Sequence, residues 1–376
     1  MQIYYNRAYS DGAVLRDGVL YSEHGYFSAS ANGPELDLRA YNVFPGFIDT
    51  HTHGGGGLDS MKADLAKLDT LSAFYASCGV SAFHATTVTA TLDAATRAVK
   101  TVSERMKKGT CGATLMGAYL EGPYLSAEYR GAHDEALLRE IDLDELKSLV
   151  DAGDGCVKSV AIAPEKPHAL DAIRMLRARG VQATLGHSAA DQSLAREAID
   201  AGGKIAIHTY NAMAPLKHRD VGLLGMSLIR DDVMNEIICD FIHVCPEAIQ
   251  VVLRCKGARN VILITDSMDA TGMPDGKYLL GELPVTVTNG IARTESGALA
   301  GSTLKMNVAV ANLVKKLGIA PETAGMMATC NPARAYGYTD MGSLQIGKRA
   351  NLVALDDDYN VALTIVDGTI VFDNRK

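Results

Sequence analysis

Two histidines one residue apart, His51 and His53, close a run of apolar residues that passes through Pro45-Gly46 and ends at Asp49. In an extended chain the side chains at i and i+2 point to the same face. The two imidazoles can therefore converge and offer their nitrogens to one metal ion. The four glycines at 54–57 are expected to leave open space above them. Further along, other apolar runs end in related groups: Glu121 after 113–120, His187 after 181–185, His208 after 205–207 and Asp266 after 261–264. Taken singly, each has an ordinary explanation, with Glu121 a solvated turn carboxylate, His187 a hydrogen-bonded loop residue and Asp266 a helix cap. Together they are the nitrogen and oxygen donors that a borderline divalent ion takes.

For these groups to meet, the runs that carry them must be strands around one axis. Eight apolar runs, 43–48, 80–88, 113–120, 157–162, 181–185, 205–207, 236–239 and 261–264, recur along the chain. Helix-length segments at 92–107, 143–150, 168–179, 189–201 and 246–254 separate most of them. Strand and helix alternating eight times is the grammar of an α/β fold of the (β/α)8 TIM barrel type, in which chemistry sits where strands end in loops on the C-terminal face. An open doubly wound sheet alternates too, but usually carries a Gly-X-Gly-X-X-Gly turn, a spacing that 54–57 lacks.

The two ends of the chain read differently. Residues 1–42 are short alternating runs cut by Asp11-Gly12, Asp17-Gly18 and Asn32-Gly33-Pro34, the pairs that tight hairpin turns favour. Residues 339–376 repeat that pattern, with a strand at 350–355 and a hairpin at 366–372. Both ends are expected to join in one small β-sandwich domain beside a barrel formed by 43–338.

A chain of 376 residues can bury a large core, and its formal charge of -8 argues against a general nucleic-acid or membrane binder. A small anion needs only one or two local cations in a cleft. The seven cysteines are scattered, with no Cys-X-X-Cys pair, as free thiols in a reducing compartment are. With no basic leader and no run long enough to span a bilayer, a cytoplasmic location is expected.

The ordered segments Pro45-Gly46-Phe47-Ile48-Asp49, Leu120-Glu121-Gly122-Pro123, Gly131-Ala132-His133, Gly186-His187-Ser188 and His208-Thr209-Tyr210-Asn211-Ala212-Met213 carry a resemblance. His218-Arg219, Thr265-Asp266-Ser267-Met268, Ala270-Thr271-Gly272, Leu299-Ala300-Gly301-Ser302-Thr303 and Asn331-Pro332-Ala333 continue it over nearly the whole chain. The sequence resembles the amidohydrolase superfamily, and within it the deacetylases of amino-sugar phosphates. That resemblance implies hydrolysis of the N-acetyl group of N-acetylglucosamine 6-phosphate, with the N-acetylgalactosamine epimer as the nearest alternative.

It also implies roles. Glu121, His187 and His208 would hold the principal divalent metal, zinc or iron, and His51 and His53 a second one bridged through Glu121. Many superfamily members use a carboxylated lysine from the fourth strand as the bridge, but here that strand ends in Ala163-Pro164-Glu165. Asp266 would act as acid and base, and His133 would orient the substrate and support the oxyanion. Asn211, Ala212, Arg219 and His243 would bind the sugar phosphate. Two departures from the family pattern flank that site: Arg219-Asp220-Val221-Gly222 in place of Arg-Glu-Pro-Gly, and Phe241 where glycine usually follows the aspartate. A homodimer is implied by the resemblance alone. A catalytically silent sugar-phosphate-binding barrel would be expected to lack a metal ligand or Asp266, and this sequence has all of them.

Overall fold

The computed structural model describes residues 1–375. Eight parallel strands, Phe47–Thr52, Val80–Thr87, Thr114–Leu120, Val157–Ile162, Gln182–Leu185, Ile205–Ala206, Met234–Ile238 and Val261–Ile264, pair in chain order. They are nearly all buried on both faces, which is why they read as continuous apolar runs rather than alternating ones. Side chains and loop backbone close the seam between the eighth strand and the first. Thr265 Oγ1 donates to Asp49 Oδ2 at 2.6 Å, and Asp266 N donates to His51 O at 2.9 Å.

The expected helices form with small shifts at their ends, and local chemistry explains the limits. Leu92–Lys108 starts at Thr91, whose hydroxyl accepts from Ala94 N, and ends with Arg105, Lys107 and Lys108 against the negative end of the helix dipole. The helix expected from 189 starts instead at Gln192, because Asp191 caps it and Ala189 N is already bonded to Glu165. Further helices at Leu65–Ser77, Gly222–Ile229 and Pro321–Ala328 were not expected.

The run 43–48 is two strands rather than one. Asn42–Pro45 pairs with Leu352–Leu355 in a sheet of terminal strands, whereas Phe47–Thr52 begins the barrel. The chain changes sheets at Gly46, where a side chain would overlap Ser81.

That terminal sheet is mixed and combines strands from both ends of the chain. Ile3, Leu36, Val43, Leu352 and Leu363 turn one face of it into a single apolar cluster, so the expected sandwich is one sheet wrapped around its own core. Asp11-Gly12 forms the first hairpin with both residues at positive φ. Asp17-Gly18, expected as a turn, lies inside the strand Ala13–Glu23, where the absence of a side chain at Gly18 admits the Tyr5 ring.

A three-stranded antiparallel sheet, Gly276–Leu280, Leu283–Thr288 and Ile291–Thr294, is inserted after the eighth strand and was not expected. Its end and the loop that follows bring Leu280, Ala298 and Leu299 to the barrel mouth. At the other end, Tyr336 and Tyr338 fill the barrel floor. The Tyr336 hydroxyl pairs with Ser159 Oγ at 2.8 Å, and that of Tyr338 with His84 Nε2 at 2.7 Å. Among the described residues no helix is long and apolar enough to cross a membrane.

Candidate active site

The C-terminal ends of the strands meet around the Glu121 carboxylate. Its Oε1 lies 3.0 Å from His208 Nε2 and 3.2 Å from His187 Nε2, and those two nitrogens are 3.0 Å apart. Its Oε2 lies 3.0 Å from His53 Nε2. Asp266 Oδ1 is 3.1 Å from the same His53 nitrogen and 3.6 Å from His51 Nε2. The five strand ends singled out by residue type thus converge, with Glu121 between two groups of donors.

Hydrogen bonds behind the rings decide which nitrogens are free. His187 Nδ1 stands 2.9 Å from the Tyr129 carbonyl, and His51 Nδ1 stands 3.1 Å from Glu236 Oε2. Both partners only accept, so each Nδ1 carries the proton and each Nε2 keeps its lone pair for the centre. Glu236 is fully buried on the seventh strand and went unremarked in the sequence, where it reads as one charged residue in an apolar run. The Tyr119 ring packs 4.7 Å from that of His51 and fixes it from below.

No ion is present, and the donor set itself tests whether one fits. Ligands about 2.0–2.1 Å from a tetrahedral ion stand roughly 3.3 Å from one another, close to the spacing of the Glu121, His187 and His208 atoms. His51 Nε2 is buried without a hydrogen-bond partner, although two carboxylates face it. Electrostatics point the same way. Burial opposes charge on His53, yet Asp266 and Glu121 outweigh it and lift its pKa to about 9, so the carboxylates hold a proton where an ion would displace it. Burial likewise works against an ionised Asp266, but His51 and His53 hold it down at about 2. His187, with desolvation dominant, falls to about 4 and stays neutral, as a metal ligand must. The spacing of Glu121, His187 and His208 fits one divalent ion, with His133 also within ligand range of Glu121 and His187, and His51, His53 and Asp266 fit a second. The fourth strand contributes no bridge: Glu165 accepts from Ser188 Oγ at 2.7 Å and from Ala189 N at 2.6 Å, holding the loop after His187.

The cleft above this centre, of about 250 Å³, is lined among others by His133, Asn211, Ala212, His243, Asp266 and Leu299. Arg219 is not among the lining residues. It lies exposed in a turn held by backbone bonds between Lys217 and Asp220. The glycines at 54–57 do not leave open space: side chains at Gly54 and Gly55 would overlap Leu58 O and Phe74, so these glycines serve close packing. His243 Nδ1 bonds Asp240 Oδ2 at 2.6 Å, and Asp240 Oδ1 accepts from the backbone N–H groups of Ile242 and His243. Burial opposes charge on His243, but the Asp240 carboxylate prevails and raises its pKa. Asn312, in a π-helical turn at Asn312–Lys316, donates to the Cys239 carbonyl at 2.8 Å and anchors the start of this loop.

Backbone strain gathers here. His187, His208, Tyr210, Ala212, Phe241 and Asp266 all have positive φ, a conformation that costs a non-glycine residue about 1–3 kcal/mol. Phe241 accounts for one departure noted above, since a position usually held by glycine keeps its left-handed backbone with a phenylalanine in place.

A buried cluster of nitrogen and oxygen donors at the rim of a (β/α)8 barrel defines a metal-dependent hydrolase of the amidohydrolase type. The chain belongs to the amidohydrolase family, which it matches over residues 42–371. It is closely related in sequence and structure to N-acetylglucosamine-6-phosphate deacetylases. It is 42% identical over 362 residues to the N-acetylglucosamine-6-phosphate deacetylase of Vibrio furnissii, covering 94% of this chain and 90% of that one. It is also 42% identical over 327 residues to the N-acetylgalactosamine-6-phosphate deacetylase of Escherichia coli O157:H7, covering 87% and 86%. Among solved structures, a mutant N-acetyl-D-glucosamine-6-phosphate deacetylase from Mycobacterium smegmatis, in complex with N-acetyl-D-glucosamine 6-phosphate, superposes with a TM-score of 0.94 at 35% identity and covers 99% of each chain.

Proposed function

We propose that this protein hydrolyses the N-acetyl group of N-acetylglucosamine 6-phosphate, releasing acetate and glucosamine 6-phosphate. The observation that carries this reading is Asp266 held 3.1 Å from His53, beside the Glu121 group and open to a cleft that also contains His133 and His243. Glu121, His187 and His208 are assigned to the principal ion, zinc or iron, and His51 and His53 to a second. A divalent ion in such a site supplies Lewis-acid chemistry that lowers the pKa of water from about 15.7 to about 7.

The chain's own groups do the rest. Asp266, ionised at neutral pH, takes a proton from the attacking water at its carboxylate and returns it to the amine nitrogen, which leaves only once protonated. His133 donates from Nε2 to the amide oxygen as charge develops there. Asn211, Ala212 and His243, whose protonated form Asp240 favours, hold the sugar phosphate and keep its amide over Asp266. Arg219 lies outside its own chain's cleft, so its part in phosphate binding is assigned to a neighbouring subunit's cleft in a homodimer. A planar guanidinium suits phosphate oxygens.

The epimer N-acetylgalactosamine 6-phosphate is a second reading, supported by equal 42% identity to relatives named for each sugar. Acetate release from both sugar phosphates, measured side by side, separates the two. No release from either would end the deacetylase reading.

A further inference from the structure

We propose that Thr89 is a positioning residue that fixes the tautomer of His133 and thereby makes it a hydrogen-bond donor rather than a metal ligand. This inference rests on the deacetylase reading only for what His133 does next.

By distance alone His133 belongs with the ligands. Its Nε2 lies 3.6 Å from Glu121 Oε2, and its ring packs edge-on against His187 with centroids 4.8 Å apart. The opposite face of the ring distinguishes it. His133 Nδ1 receives the backbone N–H of Thr89 at 3.2 Å and lies 2.8 Å from the Thr89 hydroxyl. A main-chain amide can only donate. Nδ1 must therefore present its lone pair, and the proton of the neutral ring sits on Nε2, facing the cleft. His51 and His187 are bonded in the opposite sense, to a carboxylate and to a carbonyl, and their Nε2 atoms are bare. Three neighbouring imidazoles thus divide into acceptors toward the centre and one donor, according to what stands behind each.

The close approach of Thr89 depends on Gly122, the residue after the bridging Glu121. A side chain at Gly122 would overlap Thr89 Oγ1. The strand end that carries the central carboxylate therefore also makes room for the residue that sets His133.

The test uses protein reconstituted with Zn²⁺ and labelled with 15N-histidine. In the wild type, His133 is expected to show a bare Nδ1 and a protonated Nε2. Thr89→Val, which removes the hydroxyl and keeps the amide, is expected to leave Nδ1 bare but to shift its 15N resonance and to lower kcat about tenfold, with KM and zinc content unchanged. Thr89→Ser restores both, and a melting curve shared by all three separates positioning from folding. A protonated Nδ1 in the wild type, or a Thr89→Val protein with an unaltered Nδ1 resonance and kcat, overturns the inference. The spectrum does not depend on turnover, so a protein that released no acetate would overturn the function and leave this assignment standing on its own measurement.

Discussion

Asp266 Oδ1 and His53 Nε2 stand 3.1 Å apart, and the same carboxylate oxygen lies 3.6 Å from His51 Nε2 where Asp266 opens on the cleft. A group so placed can exchange a proton with water and with an amine in turn. Asp266→Asn keeps the size and loses the base. Substrate binding and metal content are expected to survive, with kcat falling at least about 10²-fold. Steady-state rates beside elemental analysis check this, and undiminished turnover would remove Asp266 from proton transfer.

Glu236 acts on the centre from beneath. Its Oε2 accepts from His51 Nδ1 and so frees the nitrogen that faces Asp266. Replacing it by glutamine is expected to weaken the ion held by His51 and His53 by about 10- to 100-fold. Competition against a graded series of chelators reads this directly; equal retention by mutant and wild type would count against the second ion.

The Asp240–His243 pair sets a pH dependence. His243 has a raised pKa in the fold, so its favourable pairing is fully present below the ordinary imidazole value of about 6.5 and fades as pH climbs through the higher folded value. Asp240, with burial opposed and outweighed by His243, is lowered, so its share is lost only as pH falls through that lowered value. KM for the sugar phosphate is expected to rise on the alkaline side. In Asp240→Asn that rise should begin at lower pH, and coincident profiles of KM against pH would exclude a charged His243 from phosphate binding.

Arg219 gives a test of assembly. Arg219→Ala is expected to raise KM about 10- to 100-fold, the range of a lost charged hydrogen bond, with kcat preserved. Mixing it with Asp266→Asn protein should recover activity, because a hybrid dimer contains one cleft with both groups. Absence of recovery under conditions of subunit exchange would confine Arg219 to a surface role.

The metal centre was legible in the sequence because barrel strands announce themselves as apolar runs and the chemistry sits on the residue just beyond. His53, Glu121, His187, His208 and Asp266 lie one or two residues past a strand end, and His51 one residue before one. Groups that act from behind are not announced in this way. Glu236 looks like an isolated charge within a strand, and the pairing of Thr89 with His133 spans 44 residues, with no pattern linking them. The inserted sheet at the mouth was missed although Asn289-Gly290 is a hairpin pair of the kind present at 1–42, because the sheet falls after the eight-fold alternation of strand and helix has ended. Gly54 and Gly55 misled for a related reason: glycine signals either vacancy or tight contact, and only the position of Phe74 decides between them.

The tyrosine floor has a consequence for traffic. Because Tyr336 and Tyr338 plug the far end by bonding Ser159 and His84, the barrel is a cul-de-sac and Asp266 opens on the mouth. Acetate and amino sugar would then queue behind one another at a single doorway, and the slower to depart would set the tempo of the next arrival.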